Sequence, residues 1–177
     1  HHTSGLRDYL ELMYLSGRSF EDYFTIEDGI QLLGRQSNVN FSPGEKHSYS
    51  NSGYILLAEI VNRVSGMTIR EYADRNIFKP LGMNDTFFND DHSQIINNRV
   101  VSYRKESDTF KRYVQNFDAL GDGNLITTIK DLYLWDQNFY RPKVGGAKFL
   151  DLMFPLRRTH QSFQFQSPYQ DSQSQGC

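Results

Sequence analysis

A chain of 177 residues, 38% of them hydrophobic, is of single-domain size and long enough to bury a core, so we expect a globular protein. The formal net charge of -2 at pH 7, with both signs spread along the chain, gives no basic stripe and no acidic tail, and we expect no nucleic-acid partner. Cys177 is the only cysteine, which excludes an intramolecular disulfide and a cysteine-based metal site.

The first part of the chain predicts two short helices. Apolar residues recur at helical spacing between Leu6 and Tyr14, which indicates an amphipathic helix. Thr25 stands three residues before Asp28 and ahead of an apolar run, which is the spacing of a capping box at the start of a second helix. The segment GRQSNVNFSPGEK that follows is a loop by composition.

Two further helices are predicted after the Pro-Gly turn at residues 43–44. The first is the best defined, and its apolar positions run up to Gly66, a predicted C-terminal cap. Thr68 and Glu71 are spaced as another capping box. We expect the helix that they begin to end before Pro80, because a residue that precedes proline disfavours the helical conformation.

The pattern loosens between residues 82 and 117 into short aromatic and β-branched pieces, which predict loops with one or two short strands. Residues 121–126, GDGNLI, are predicted as a turn. Thr128 and Asp131 are spaced as a capping box for the helix that follows. A last short helix, GAKFLDLMF, precedes Pro155.

The C-terminal segment has a different composition. After Leu156 the chain has no Ile, Leu, Val or Met, and Ser and Gln dominate. Such a segment has few side chains that can join a core. We therefore predict a folded, mostly helical region over residues 1–156 and a disordered or non-native tail over residues 157–177.

Membrane and cofactor sites receive no support from the sequence. No window approaches eighteen consecutive apolar residues, and no N-terminal secretory signal is visible, so no membrane segment is predicted in this chain. The histidines show no HExxH pairing, and GDGNLI lacks the third glycine of a dinucleotide-binding loop. We therefore expect no metal and no other cofactor.

The stretch PGEKHSYSNSGYILLAEIV, residues 43–61, places Tyr49 and Asn51 two residues apart at the start of the third helix. Local physics explains both without any catalysis. Asn51, or the neighbouring Ser50 or Ser52, is a good N-cap, because its side-chain oxygen can accept from an unpaired backbone N–H of the first turn. A tyrosine at Tyr49 is explained by packing alone.

Four stretches in a fixed order give these residues a second interpretation. HTSGL at 2–6, the segment at 43–61, NIFKPLGMNDTFF at 76–88 and GDGNLITTIKDLYLW at 121–135 resemble the serine β-lactamase and penicillin-binding-protein superfamily. The likeness is to its class C-like branch of D-alanyl-D-alanine carboxypeptidases and esterases. The HTSGL match also indicates that His2 belongs to the native chain and not to a purification tag.

The resemblance implies a helical region packed on an antiparallel sheet, with the active site between them. The family lines this site with a Ser-x-x-Lys, a Tyr-x-Asn and a Lys-Thr-Gly or His-x-Gly motif. Tyr49 and Asn51 match the second motif. We expect the first motif upstream of HTSGL and the third after the last helix, so the chain is predicted to be a central fragment whose sheet is largely missing.

The implied activity is hydrolysis of an amide or ester through an acyl-serine intermediate, with a β-lactam, a D-alanyl peptide or a simple ester as substrate. Tyr49 would be the acid–base group, and Asn51 would donate its amide to the substrate carbonyl or to the first-motif lysine, which would leave Ser50 to cap the helix. Its partners would be a small-molecule or peptide substrate and the missing flanking segments. The family implies a periplasmic or secreted location. The alternative is a non-catalytic binding module that keeps the scaffold.

Two other matches are interpreted as accidental. Residues 102–105, Ser-Tyr-Arg-Lys, have Ser-x-x-Lys spacing, but they follow the Tyr-x-Asn motif and have no apolar helix behind them. Residues 143–145, Lys-Val-Gly, lie in a loop ahead of a helix, whereas the third motif belongs on a strand edge.

Overall fold

The computed structural model describes residues 1–113 and 115–153. By its internal contacts the chain divides into two units, residues 1–144 and 145–177. The elements of the first unit are α1 (Tyr9–Leu15), α2 (Ile26–Gly34), α3 (Ser52–Ser65), α4 (Ile69–Ala73), a π-helical turn (Asp74–Phe78), α5 (Lys79–Leu81), β1 (Phe87–Phe88), β2 (Tyr103–Glu106), β3 (Thr109–Arg112), β4 (Leu125–Ile126) and α6 (Ile129–Gln137). The described part of the second unit forms α7 (Gly146–Met153). Helices predominate over strands in the described residues, as predicted.

The helix starts agree with the predicted caps at two positions. Thr25 and Asp28 form a complete capping box at α2, with each side chain bonded to the backbone N–H of the other residue. Thr68 and Glu71 form the same arrangement at α4. Each box satisfies two backbone donors that the first turn of a helix leaves unpaired, which is why the local spacing was sufficient to predict these starts.

The prediction that the fourth helix ends before Pro80 is wrong. After α4 the backbone widens into the π-helical turn Asp74–Phe78 and continues through Pro80 in α5. Proline is tolerated in the first turn of a helix, because its missing N–H would have no partner there. The π-helical turn makes Lys79 the start of a new helical segment, so Pro80 falls in such a first turn.

The strands of the first unit form two small antiparallel pairs. β2 and β3 are neighbours in sequence and form a hairpin, whereas β1 pairs with β4 through Phe87 opposite Ile126 and Phe88 opposite Leu125. Three strands therefore lie between residues 82 and 117, where one or two were predicted. The strand β4 was predicted as part of a turn, because two residues are too few to show an alternating pattern.

The start of α6 has only half of its predicted capping box. The Thr128 side chain accepts from the Asp131 backbone N–H, as expected. The Asp131 carboxylate does not return to Thr128 but accepts from the Asp85 backbone N–H at 2.8 Å and from the Thr86 hydroxyl at 2.7 Å. Asp131 is 2% exposed, so these bonds give a buried carboxylate the partners it needs and fix α6 to the start of β1.

The main core lies where α1, α2 and α3 meet the segment at 117–119. Its buried members are Tyr9, Met13, Phe24, Ile55, Phe117 and Ala119. The rings of Phe24 and Phe117 stack with their centroids 5.1 Å apart, and Tyr9 stacks on both. A second cluster of Ala73, Phe78, Leu81 and Met83 lies around the π-helical turn. Tyr9 is the first residue of α1, so its burial holds the start of that helix against the core.

Within the ranges that the structure describes, no helix has the length and apolar run needed to span a membrane. The predicted boundary between residues 156 and 157 and the predicted tail both lie outside the described residues. Those two expectations therefore remain predictions.

The outer face of α3 is apolar and exposed. Its buried side carries Ser52, Ile55 and Ala58, while Leu57, Ile60 and Val64 point away from the core. On α6, Ile129 and Leu132 are also exposed. Apolar surface of this extent on adjacent helical turns favours association in water.

We predict that the 177-residue chain by itself associates in solution and that Val64→Lys reduces the association. Val100→Lys is the matched control, since Val100 is 88% exposed and Val64 83%, but Val100 lies in a loop and not on α3. Sedimentation velocity across a concentration series measures the effect. A monomeric wild-type chain with a sharp thermal transition would contradict the prediction.

Candidate active site

Tyr49 and Asn51 lie together at the N-terminal end of α3. The Tyr49 hydroxyl donates to Asn51 Oδ1 at 3.1 Å. The side chain of Tyr49 is 67% exposed, so its hydroxyl is open to solvent. Among the described residues, no lysine or arginine makes a hydrogen bond or cation–π contact with Tyr49.

The side chain of Asn51 does not cap α3. Asn51 occupies the N-cap position, but its side chain makes no bond to the first turn, and only its backbone carbonyl accepts from Tyr54 and Ile55. Neither serine takes over this cap. Ser50 Oγ is buried without a partner among the described residues, and the Ser52 hydroxyl is bonded elsewhere. The predicted capping roles of all three are therefore wrong. Tertiary bonds take the side chains of Asn51 and Ser52, whereas Ser50 Oγ makes no bond among the described residues.

Asp8 supplies the partner that Asn51 has instead. One oxygen of Asp8, Oδ2, accepts from the Asn51 backbone N–H at 2.6 Å and from Asn51 Nδ2 at 2.9 Å. The other oxygen, Oδ1, accepts from the Leu10 backbone N–H at 2.8 Å and caps α1. A single carboxylate therefore bonds to the N-terminal ends of α1 and α3.

Ser52 ties the same two helices together from the other side. Its hydroxyl accepts from the Tyr9 backbone N–H at 2.9 Å and donates to the Arg7 carbonyl at 2.5 Å. Ser52 is fully buried, and both capacities of its hydroxyl are used. The start of α3 is thus held against α1 by bonds from Asp8 and Ser52.

The segment HTSGL lies against the loop that carries Tyr49. Backbone N–H groups of Asn40, Gly44 and Ser48 donate to the carbonyls of Gly5, Thr3 and His2 at 2.8 to 2.9 Å. The His2 ring stacks on the Tyr49 ring with centroids 4.4 Å apart. Two of the four stretches that carried the family resemblance are therefore neighbours in space.

Tyr9, the first residue of α1, forms a buried pair with Asp122. The Tyr9 hydroxyl donates to Asp122 Oδ2 at 2.7 Å, while Asp122 Oδ1 is buried without a partner among the described residues. Burial raises the pKa of the Asp122 carboxyl, and the nearby Asp8 carboxylate adds to this effect. Burial and the Asp122 carboxylate also raise the pKa of the Tyr9 phenol, so Tyr9 stays neutral.

Gly121 allows Asp122 to approach α3. Its φ is +116°, and a Cβ placed there would lie 2.4 Å from the Tyr54 carbonyl oxygen and 3.0 Å from Ala58 Cβ. Only a glycine accepts both the backbone angle and this contact with α3. Asp122 itself was not predicted as a site residue, since GDGNLI showed only a turn.

The two motif matches interpreted as accidental, at residues 102–105 and 143–145, make no hydrogen bond to Tyr49 or Asn51. Lys105 is on β2 of the exposed hairpin. The loop at 143–144 is held by Asn138, whose Oδ1 accepts from the backbone N–H groups of Lys143 and Val144 at 2.8 and 3.0 Å.

A groove of about 290 Å³ lies between α2, α3 and the N-terminal end of α4. Its lining includes four carboxylates, those of Glu27, Glu59, Asp90 and Asp118, but neither Tyr49 nor Asn51. Glu59 and Asp90 form ion pairs with Arg63 and Arg70, and Asp118 Oδ2 lies 3.0 Å from His92 Nδ1. In the described part of the chain, no group of three or more His, Cys, Asp or Glu residues has the arrangement of a metal site.

The family of the chain follows from a comparison with models of known protein families. A family model described as Beta-lactamase matches residues 1–168. The chain belongs to the beta-lactamase family. The resemblance inferred from the four sequence stretches is confirmed.

Relatives of this family include longer proteins. The chain is 29% identical over 160 residues to penicillin-binding protein 4* of Bacillus subtilis, which covers 79% of this chain and 34% of that protein. It is 30% identical over 137 residues to a D-aminopeptidase of Brucella anthropi, which covers 76% of this chain and 26% of that protein. The chain thus spans about a third or less of the length of these relatives.

Solved structures show the same fold. A penicillin-binding protein from Bacillus halodurans matches with a TM-score of 0.73 at 24% identity, covering 85% of this chain and 47% of that one. A D-stereospecific amidohydrolase from Streptomyces sp. matches with a TM-score of 0.72 at 19% identity and the same coverage of both chains. At these identities the match establishes the fold of the described helices and strands within the beta-lactamase family.

We predict that Asp122→Asn raises the melting temperature at pH 7. A buried carboxyl whose pKa is raised in the folded state is favoured when protonated, so it costs stability as pH rises above the usual value of about 3.9. The neutral amide avoids this cost and can still accept from Tyr9. The advantage of the variant should shrink toward pH 4. Thermal melts of both proteins between pH 4 and 8 test this, and a pH-independent difference would contradict it.

We also predict that Gly121→Ala destabilises the fold by about 2–3 kcal/mol, in the range of severe backbone strain combined with a clash. Gly123→Ala is the matched control, because a Cβ there meets nothing within 4 Å. Its effect should stay within about 0.5 kcal/mol. Urea unfolding of both variants measures the difference, and equal midpoints would contradict the close approach of Gly121 to α3.

Proposed function

We propose that the chain is the central, helical part of a serine hydrolase of the beta-lactamase family and that it supplies the acid–base group Tyr49 and the hydrogen-bonding residue Asn51. The bond cleaved is an amide or an ester, in a β-lactam, a D-alanyl or other D-amino-acid derivative, or a simple ester. The single observation that supports this most is the hydrogen bond between Tyr49 and Asn51 on the exposed end of α3, in a chain matched by the family model.

The proposed chemistry needs Tyr49 in two protonation states. A serine hydroxyl attacks the substrate carbonyl as Tyr49 Oη takes its proton, and the tetrahedral intermediate then expels the leaving group, which receives that proton. Water repeats the sequence on the acyl-serine, with the serine as leaving group. The reaction consumes one water and one amide or ester bond.

Tyr49 can accept a proton only if nearby cations favour its phenolate. The cation–π contacts of the described residues involve other aromatic rings. We place the required cations on the Ser-x-x-Lys and Lys-Thr-Gly or His-x-Gly motifs of the family, which we assign to segments outside this chain. The exposure of Tyr49 leaves its hydroxyl accessible to them.

The same proposal accounts for the exposed apolar face of α3. Leu57, Ile60 and Val64 form a stripe on the side opposite the core. An antiparallel sheet that packs against this stripe would remove it from water. We therefore propose that a sheet contributed by the remainder of the domain packs against this face of α3.

We predict that Tyr49→Phe, in the full-length protein, slows acylation by a penicillin or fluorophosphonate probe by about 10²–10⁴, the range of positioned acid–base groups. Only a hydroxyl is removed from an exposed ring, so the melting temperature should not change. Tyr103→Phe is the matched control, since Tyr103 is 65% exposed and Tyr49 is 67% exposed. The 177-residue chain by itself should not be labelled.

Two results would count against the proposal. An unchanged acylation rate in Tyr49→Phe would remove this tyrosine from the mechanism. A full-length wild-type protein that no acylating probe labels would favour a binding module with the same scaffold.

A further inference from the structure

We propose that Asp8 is a positioning residue of the site: it holds the Asn51 carboxamide with its oxygen toward the Tyr49 hydroxyl and thereby sets the place of that hydroxyl. The role of Asp8 in the reaction rests on the proposed function of Tyr49 and Asn51. The contact between Asp8 and Asn51 does not rest on that function, because it can be measured without any substrate.

The first step is the strength of the contact. Asp8 is 9% exposed, and its Oδ2 accepts two hydrogen bonds from Asn51, one from the backbone and one from the side chain. Bonds to an ionised acceptor are shorter and about twice as strong as neutral ones. The 2.6 Å distance from the Asn51 backbone nitrogen fits such a bond. Asn51 is therefore fixed at both its backbone and its side chain.

The second step is the orientation of the amide. An ionised carboxylate can only accept, so the group of Asn51 that faces Asp8 has to be the amino group. Oδ1 then points the other way and accepts from the Tyr49 hydroxyl at 3.1 Å. Asn51 thus presents an acceptor to the tyrosine, whereas the family resemblance implied mainly a donor role. In the neutral form of Tyr49, this acceptor holds the hydroxyl by its proton and defines where the oxygen stands.

The third step is the support of Asp8 itself. Its Oδ1 caps α1, and the next residue, Tyr9, is fully buried in the main core and bonded to Ser52. The Tyr49 side chain belongs to a loop, but its hydroxyl is connected through Asn51 and Asp8 to a packed helix. Sites supported by rigid elements keep their geometry better than those on loops alone.

Asp8→Asn separates the positioning role from the capping role. Asparagine caps a helix as well as aspartate, so α1 can keep its cap. The variant cannot also offer Asn51 an acceptor for two N–H groups, because its second polar atom is an amide nitrogen. In full-length protein, we expect acylation to slow by about 10- to 100-fold, the cost of a displacement on the order of 1 Å. The maximal acylation rate should fall, whereas the probe concentration that gives half of the maximal rate should not change.

The side-chain amide of Asn51 gives a readout that needs no activity. In protein labelled with ¹⁵N-asparagine, assigned through Asn51→Ala, the Asn51 NH₂ resonances should show slow solvent exchange in the wild type and faster exchange in Asp8→Asn. Thr25→Ala is the control for loss of stability, since Thr25 caps α2 and its side chain bonds to Asp28 and not to Asp8, Tyr49 or Asn51. It should lower the melting temperature and leave both the exchange and the acylation rate unchanged.

A double-mutant cycle tests whether Asp8 acts through Asn51. If it does, Asp8→Asn combined with Asn51→Ala should be as slow as Asn51→Ala alone. Additive losses, or an Asp8→Asn protein that is acylated at the wild-type rate, would overturn the positioning role. Fast exchange of the Asn51 amide in the wild-type protein would overturn it without any variant. Absence of labelling in the wild type with slow Asn51 exchange would instead reject the proposed function and leave the Asp8 contact supported.

Discussion

The structure around the candidate site depends on one junction, where the N-terminal ends of α1 and α3 share their hydrogen-bonding partners. The first turn of a helix has N–H groups without partners and a partial positive charge. Bringing two such ends together is unfavourable unless an acceptor lies between them. The Asp8 carboxylate and the Ser52 hydroxyl provide these acceptors, at distances of 2.6 to 2.9 Å. The junction also contacts the candidate site, because Asp8 bonds to Asn51, whose Oδ1 accepts from the Tyr49 hydroxyl.

The helices could be predicted from the sequence because their starts are local features. A capping box needs only two residues at a fixed spacing, and the boxes at α2 and α4 formed as expected. Thr128 shows the limit of that approach, since Asp131 has the correct spacing but bonds instead to Asp85 and Thr86, just before β1. The strand β4 was missed because it has only two residues, and these pair with the remote β1.

The site could be predicted only in part. The Tyr-x-Asn motif is short and contiguous, so resemblance predicts Tyr49 and Asn51 as site residues, and the structure joins the two by a hydrogen bond. The residues that hold them were not found. Asp8 lies 43 residues before Asn51, and nothing in its own sequence neighbourhood distinguishes it from an ordinary helix cap. Hydrogen-bonding partners of this kind leave no spacing pattern that one sequence can show.

The bond between Tyr9 and Asp122 has a consequence for the order in which the chain folds. It joins residues 113 positions apart, and the stack of Phe24 on Phe117 joins chain segments that are almost as distant. Closing so long a loop costs entropy that contacts within a single helix do not require. Folding slows as the mean separation of contacting residues grows. The capped helices can therefore form early. The contacts of Tyr9 with Asp122 and of Phe24 with Phe117 form only when the 117–122 segment packs against these helices.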